Sequence, residues 1–404
     1  MTKRRIRATT CTAIVLAGGM ALGVGTADAG ASPRHDLRST LQHDADRLLK
    51  YGAPGVLVGL DRARGDITVR SGLGDTAKRT PVPWDAKFRV GSFTKTYVSA
   101  TVLQLVGERR LSLDDTVHRW LPGLLTGNGN DGRTVTVRQL LQHTSPVPDY
   151  TGKLPMIMSQ EVFERDRYKT LTERQLVRLA MTLPPRDLSK GQWEYSNTNY
   201  ILLGMIISRV TGNTWQEEVR DRIIRPLRLR GTSIPKTSPA IPQPHAVGYE
   251  RFPGEGASQE DPKYGEFLDV TRFNPSLAGA AGAMISTTDD ANRFLRALLS
   301  GRVLKPAQLA EMKKTIPTSK AFQGFLPGAR YGLGIMLIPN SCGGHWSHGG
   351  DIFGFMTRNG VNHDGSRSVV VSINTDSLKP DPGIPYPRKD VTLDLVDHAL
   401  CGGR

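Results

Sequence analysis

Cysteine is scarce, three residues in a chain of 404, which leaves room for one disulfide at most. Acidic residues are also short, 38 Asp and Glu against 53 Lys and Arg, for a formal net charge of +15. That deficit gives a basic surface suited to anionic polymer such as cell-wall material. The cations are spread along the chain rather than clustered, which argues against a nucleic-acid partner. Beyond the N-terminus no stretch of about 18 uncharged apolar residues occurs, so no later segment is expected to anchor the chain in a bilayer. The 43 glycines and 26 prolines stay below the share that marks low-complexity chains, which excludes disorder as the main state. The length exceeds the roughly 250–300 residues at which one core stops growing and predicts two lobes. A lone small binding module is excluded.

The N-terminus reads as a processing signal. Lys3, Arg4, Arg5 and Arg7 form a positive stretch, Cys11 to Val24 is apolar, and Ala27-Asp28-Ala29 is a small-x-small cleavage site. Cleavage is expected before Gly30, with residues 1–29 as signal peptide and the product secreted to the extracellular or cell-wall space. The Arg4-Arg5 pair leaves the general and twin-arginine routes both open. Cys11 departs with the signal, and the remaining Cys342 and Cys401 would meet an oxidising compartment, where two cysteines usually form one disulfide. A zinc site at Cys342, His345 and His348 lacks a fourth ligand at suitable spacing, so no metal and no other cofactor is expected.

Hydrophobic patterning gives an α/β, then helical, then α/β order. A helix over Leu41 to Tyr51 precedes strands over Gly55 to Leu60 and Asp66 to Leu73, split by an Arg64-Gly65 turn. Ser92 to Val106 is apolar nearly all round and is therefore expected as a buried helix. Helical stretches follow at Val137 to Gln142, Thr172 to Met181, Tyr200 to Val210 and Trp215 to Ile224, with no strand pattern of any length among them. Helices at Thr288 to Leu299 and Pro306 to Lys314 lead to strands at Tyr331 to Ile338, Phe353 to Asn359 and Ser368 to Asn374, then a helix over Asp390 to Leu400. Asn362-His363-Asp364-Gly365 is a hairpin signal. The expected organisation is an α/β lobe from residues 37–110 and 276–404, interrupted by a helical lobe over 111–275.

Three short motifs carry chemistry. In Ser92-Phe93-Thr94-Lys95 a spacing of three stacks the ammonium one turn above the hydroxyl. Burying an unpaired ammonium lowers its pKa and leaves an amine able to take the Ser92 proton. A Ser N-cap followed by a Lys reaching to water is the bland alternative. Tyr195-Ser196-Asn197 follows a Lys190-Gly191 turn, and there a phenol can relay a proton if a nearby ammonium favours its anion, while the Asn amide holds a substrate carbonyl. Capping by Ser196, Asn197 and Thr198 is the alternative there. In His348-Gly349-Gly350-Asp351 the glycines let a ligand lie against the strand, and His348 would supply hydrogen bonding or positive potential near pH 7, the alternative being a glycine-rich β-turn, which the neighbouring Gly343-Gly344 favours.

Ser-x-x-Lys, Tyr-Ser-Asn and His-x-Gly, in this order, resemble the penicillin-recognising serine hydrolases of the class C β-lactamase type, nearest the secreted D-alanyl-D-alanine carboxypeptidases. The flanks Phe88-Arg89-Val90-Gly91, Leu140 to Ser145, Thr198-Asn199-Tyr200, Pro226 to Leu229 and Tyr331 to Gly334 share the likeness. The resemblance implies a β-lactamase/transpeptidase-like fold, an antiparallel sheet flanked by helices, and a Cys342–Cys401 bridge. It implies Ser92 as acylated nucleophile, Lys95 as its activating partner, Tyr195 as general base and acid, and Asn197 as substrate-amide ligand. His348 becomes the electrostatic member, and the N–H groups of Ser92 and Asp351 the oxyanion hole, with Gly349 and Gly350 beside the substrate.

The departures concern substrate. Where the carboxypeptidases hold a free carboxylate with Arg, this chain has Met336, with the anionic Asp351 nearby. Leu277 replaces an aromatic wall and Pro146 a glycine, and Arg330 or Arg358 is the candidate for the missing cation. The expected activity is D-alanyl-D-alanine carboxypeptidase on cell-wall peptides. An esterase, amidase or D-aminopeptidase follows, favoured by Asp351 as partner of a substrate amine, then a β-lactamase, and last a non-catalytic wall-binding protein. The expected partner is a small peptide, amide or ester, bound by a monomer.

Overall fold

The computed structural model describes residues 36–188, 192–258 and 262–402. The expected signal over 1–29 and the Lys190-Gly191 turn lie outside them. Residues from Asp36 onward form one compact unit.

The valine- and leucine-rich Gly55–Arg62 is buried over six consecutive positions and is a central strand. It turns through Arg64-Gly65 into Ile67–Asp75, whose alternating burial marks a strand with one covered face. On its other side it pairs with Arg367–Ile373 from the far end of the chain, Val56 opposite Ile373 and Val58 opposite Val371. These strands belong to a ten-stranded antiparallel sheet. From one edge the order is Ile316–Pro317, Arg330–Tyr331, Met336–Ile338, His345–Ser347, Phe355–Val361, Arg367–Ile373, Gly55–Arg62, Ile67–Asp75 and Thr80–Pro81, with Gly350–Ile352 pairing onto Phe355–Val361.

Helices cover the sheet. Leu37–Lys50 and Leu393–Cys401 bury Leu41, Ala45, Leu48, Leu395 and Leu400 against Val58, Val69 and Val371. A separate, larger core joins Thr288–Leu299, the helix Thr94–Gly107 and the helices Val137–Gln142, Glu173–Ala180, Asn197–Thr211 and Trp215–Val219. Tyr97 stacks on Phe294 with ring centres 3.6 Å apart. Thr94–Gly107 is buried on every side, as a helix without a polar face must be.

Some boundaries differ from expectation. The expected strand Tyr331 to Ile338 breaks at Gly332 to Ile335, because Gly334 takes φ +77° and lies against Ser99 and Tyr200. The helix expected from Tyr200 begins at Asn197, and the region between 111 and 275 holds two-residue ladders such as Tyr249–Glu250 with Leu268–Asp269. Sulfur atoms of Cys342 and Cys401 are bonded, as expected.

Candidate active site

Ser92 sits in a 3-10 turn, Gly91–Phe93, that feeds directly into the helix carrying Lys95. Lys95 is fully buried, so it does not reach for water. Its Nζ lies 2.9 Å from Ser92 Oγ, 2.8 Å from Asn197 Oδ1 and 2.7 Å from the Ala281 carbonyl. Burial pushes its pKa down to about 7, against the pull of Asp149 and Asp351. In the neutral amine, two N–H groups satisfy the two oxygens that can only accept, which turns the lone pair toward the Ser92 hydroxyl. That is the geometry of a general base.

Tyr195 and Asn197 stand at the start of the helix Asn197–Thr211, where no side chain of Ser196, Asn197 or Thr198 caps it. The capping acceptor comes from another segment. Asp149 Oδ2 receives the Asn197 backbone N–H at 3.1 Å and its Nδ2 at 3.0 Å. This fixes the amide with Oδ1 toward Lys95 and leaves one N–H for a substrate. Burial holds the Tyr195 phenol well above its ordinary range, with Asp149 and Asp351 adding to the effect and a hydrogen bond with Ser92 opposing it. The condition set for a phenolate, an ammonium that favours its anion, is therefore not met in the resting site. The Lys95 nitrogen lies 4.8 Å over the Tyr195 ring centre, and in the resting site the tyrosine is a proton donor.

Of the two roles expected of it, His348 shows the hydrogen bonding and not the positive charge. Burial and the neighbouring Lys95 push it down to about 3, so it carries no positive potential near pH 7. Its Nδ1 lies 2.7 Å from the Gly349 carbonyl, which only accepts. Nδ1 thus holds the proton, and Nε2 accepts from the Tyr331 hydroxyl at 2.9 Å. Its ring centre is 6.4 Å from that of Tyr195. The following strand Gly350–Ile352 presses against the nucleophile turn, and a Cβ at Gly350 would fall 2.6 Å from the Ser92 nitrogen. One at Gly91, which has φ +53°, would fall 2.8 Å from the Asp351 nitrogen. Glycine at both positions lets the two backbones meet.

Neither candidate cation is free. Arg330 donates to the Thr315 carbonyl and hydroxyl, 3.0 Å each, at an exposed edge. Arg358 is held between Asp351 and Asp390. Met336 is buried beside Trp193 and Tyr331. Leu277 lines the cleft in front of Ser92, and its carbonyl accepts from the Tyr150 hydroxyl at 2.7 Å. Pro146 accepts from the Arg186 N–H at 2.8 Å.

Several groups at the site were not singled out from the sequence. Asp149 orients Asn197, and Arg186 ties the carbonyls of Ser145, Glu194 and Tyr195 together. Buried His143 accepts the Ser196 N–H at 3.2 Å and packs 4.4 Å from the Tyr195 ring. Glu250 and Asp376 line the same cleft as Ser92 and Asp351. Burial raises Glu250 to about 7, with Asp351 reinforcing the effect, and it raises Asp376 well above the carboxylate range, with Asp351 and Glu250 reinforcing. Among the described residues no group of three or more His, Cys, Asp or Glu could hold a metal ion. The arrangement is a buried base, an acylatable hydroxyl and a proton-donating phenol beside a crowded carboxyl wall.

Residues 37–392 match the protein family described as Beta-lactamase. The structure of a D-stereospecific amidohydrolase from Streptomyces sp. superposes with a TM-score of 0.79 at 37 % identity, covering 91 % of this chain and 99 % of that one. That of D-amino acid amidase from Ochrobactrum anthropi SV3, complexed with L-phenylalanine amide, gives 0.75 at 27 % identity, covering 90 % and 97 %. Protein flp of Staphylococcus aureus (strain MW2) is 28 % identical over 221 residues, 54 % of this chain, and the chain spans only 41 % of that relative.

Proposed function

The chain belongs to the β-lactamase family of serine hydrolases, and from that premise we propose that it releases D-amino acids from their amides and esters, recognising a free α-ammonium group. The carrying observation is the carboxyl wall of Glu250, Asp351 and Asp376 in the Ser92 cleft. Burial above all, and then repulsion from Asp351, raises the proton affinity of Glu250 and Asp376, with Arg251 and Arg358 opposing it only in part, and an entering ammonium favours the ionised forms. An α-amine is such a cation at a fixed distance from the scissile carbonyl. Ile157, Met158, Leu277 and Phe353 offer the acyl side chain an apolar surface. The likeness to a D-stereospecific amidohydrolase and a D-amino acid amidase supports the stereochemistry.

Ser92 Oγ attacks the amide carbon while Lys95 takes its proton. The N–H groups of Ser92 and Asp351 stabilise the oxyanion. The C–N bond breaks as Tyr195 gives its phenolic proton to the departing nitrogen and regains one from the Lys95 ammonium. Water then attacks the ester carbon, and its proton passes through Lys95 to Ser92 Oγ. Amide plus water thus gives acid plus amine.

The carboxypeptidase reading needs a cation for the terminal carboxylate, and Met336, Arg330 and Arg358 do not offer one. A lasting penicillin adduct on Ser92 would restore it. We also propose export. The signal-like residues 1–29 and the Cys342–Cys401 bridge, a bond that persists in oxidising compartments, support it.

The deciding assay compares D-phenylalanine amide, its N-acetyl derivative and L-phenylalanine amide, with Ser92→Ala as control. The expected result is turnover of the free D-amine, at least about 100-fold slower reaction of the other two, and none with Ser92→Ala. Equal rates on the N-acetyl compound would overturn amine recognition, and equal rates on the enantiomers would overturn the stereochemistry.

A further inference from the structure

Ser92 stands where two clefts meet. The first, about 320 Å³, carries the carboxyl wall, and the second, about 440 Å³, opens beside it. Ser92, Asn197 and Asp351 line both, Glu250 and Asp376 line the first, and Tyr195 and His348 line the second. Tyr195 protonates the departing atom. A substrate whose ammonium lies in the first cleft therefore expels its leaving group into the second.

The second cleft is apolar. Its walls include Phe322, Phe325, Leu326, Met336, Leu393 and Val396. Phe322 and Phe325 belong to the short helix Lys320–Phe325, their ring centres 6.4 Å apart. Phe322 is braced by Trp193 at 4.9 Å, whereas Phe325 remains exposed. An exposed aromatic ring at the edge of a catalytic cleft is apolar surface for a ligand to cover.

Among the described residues its one cation, Arg358, is already paired within the wall, and by two carboxylates. Arg358 is bonded to Asp351 and Asp390, and its guanidinium also lies 5.7 Å over the Phe325 ring. Burial pushes His345 down to about 4 and His348 to about 3, so both are neutral at pH 7. A carboxylate arriving here would lose its hydration without gaining an unpaired cation.

We propose that the second cleft is a leaving-group subsite for bulky, uncharged, apolar amines and alcohols. The enzyme then prefers D-aminoacyl arylalkyl amides and esters to primary amides, and to peptides that end in a free carboxylate. This deepens the reading of the first cleft as an amine site and rests on it.

The test measures kcat/KM for D-phenylalanine amide, D-phenylalanine benzylamide, D-phenylalanyl-D-phenylalanine and the amide of that dipeptide. The benzylamide is expected to exceed the primary amide by about tenfold, the worth of a modest apolar contact. The dipeptide amide is expected to exceed the free dipeptide by about tenfold or more. Phe325→Ala, at an exposed position that tolerates truncation, is expected to cut the benzylamide-to-primary-amide ratio about fivefold. If D-phenylalanine amide is turned over but both wild-type ratios stay near one, the leaving-group subsite is overturned and the amine reading stands. If the N-acetyl compound reacts as fast as the free amine, the amine reading and this inference fall together.

Discussion

Lys95 is a base because nothing near it pairs with its charge at close range. Its neighbours within hydrogen-bond distance are a hydroxyl, an amide oxygen and a carbonyl, and burial has brought its pKa to about 7. The sign follows directly: the amine is neutral above that value, so catalytic competence is lost as pH falls through 7. Glu250, also raised to about 7, is neutral below it, and attraction for a cationic substrate weakens over the same interval. At the other end the substrate loses its ammonium near the usual α-amino value of about 8. For D-phenylalanine amide, log(kcat/KM) against pH is therefore expected to be bell-shaped with its maximum between about 7 and 8. The acid limb should be steeper than one decade per pH unit and become shallower in Glu250→Gln. A profile flat from pH 5 to 7 would show that neither group governs the reaction.

The element that most constrains the site is the strand Gly350–Ile352 leaning on the Ser92 turn. A Cβ at position 350 would meet the Val90 carbonyl oxygen at 2.1 Å and the Ser92 nitrogen at 2.6 Å, both backbone atoms that cannot step aside. Gly350→Ala is expected to force the strand away from the turn and lower kcat for D-phenylalanine amide by about 100-fold, the usual cost of a lost oxyanion donor. The circular dichroism spectrum should stay that of the wild type, and a rate within threefold of wild type would show that the two N–H groups do not act together. Elements of this kind were legible where the chain is locally consistent. The buried helix after Ser92 shows itself by apolar residues all round, and the strand at 55–62 by its valines and turn. The six-residue helix with Phe322 and Phe325 shows no such pattern, being too short to complete two turns. Ser92, Lys95, Tyr195, Asn197 and His348 announce themselves within contiguous motifs. Asp149, Arg186, Glu250 and Asp376 do not, since each reaches the site from a separate segment, Glu250 from a two-residue strand and the others from loops, and its role exists only in the folded chain.

Across the whole molecule the two chain ends are bound into one sheet and one helical layer, Gly55–Arg62 beside Arg367–Ile373 and Leu37–Lys50 beside Leu393–Cys401. The chain is strongly basic, yet the cleft in front of Ser92 is walled by carboxyls. Long-range repulsion of a cationic substrate is thus reversed only at close approach. The Cys342–Cys401 bridge holds this closure at its terminus, and the Ser341 N–H donates to Asp397 at 2.8 Å alongside it. Cys342 lies just before the strand His345–Ser347 that leads into His348, and Cys401 ends the helix whose Leu393 and Val396 line the second cleft. The bridge joins cysteines 59 positions apart in sequence, for which chain entropy predicts a stabilisation of about 4 kcal/mol. Replacing both cysteines by serine is expected to lower Tm by about 5–10 °C. The initial rate on D-phenylalanine amide at 25 °C should stay within about twofold of wild type, because neither sulfur touches Ser92, Lys95 or Tyr195. The check is a thermal melt of the wild type with and without reductant beside the double variant. Reduced wild type and variant should melt together below the oxidised protein, whereas three coincident melts would mean that the sheet and the helices hold the terminus without the bond.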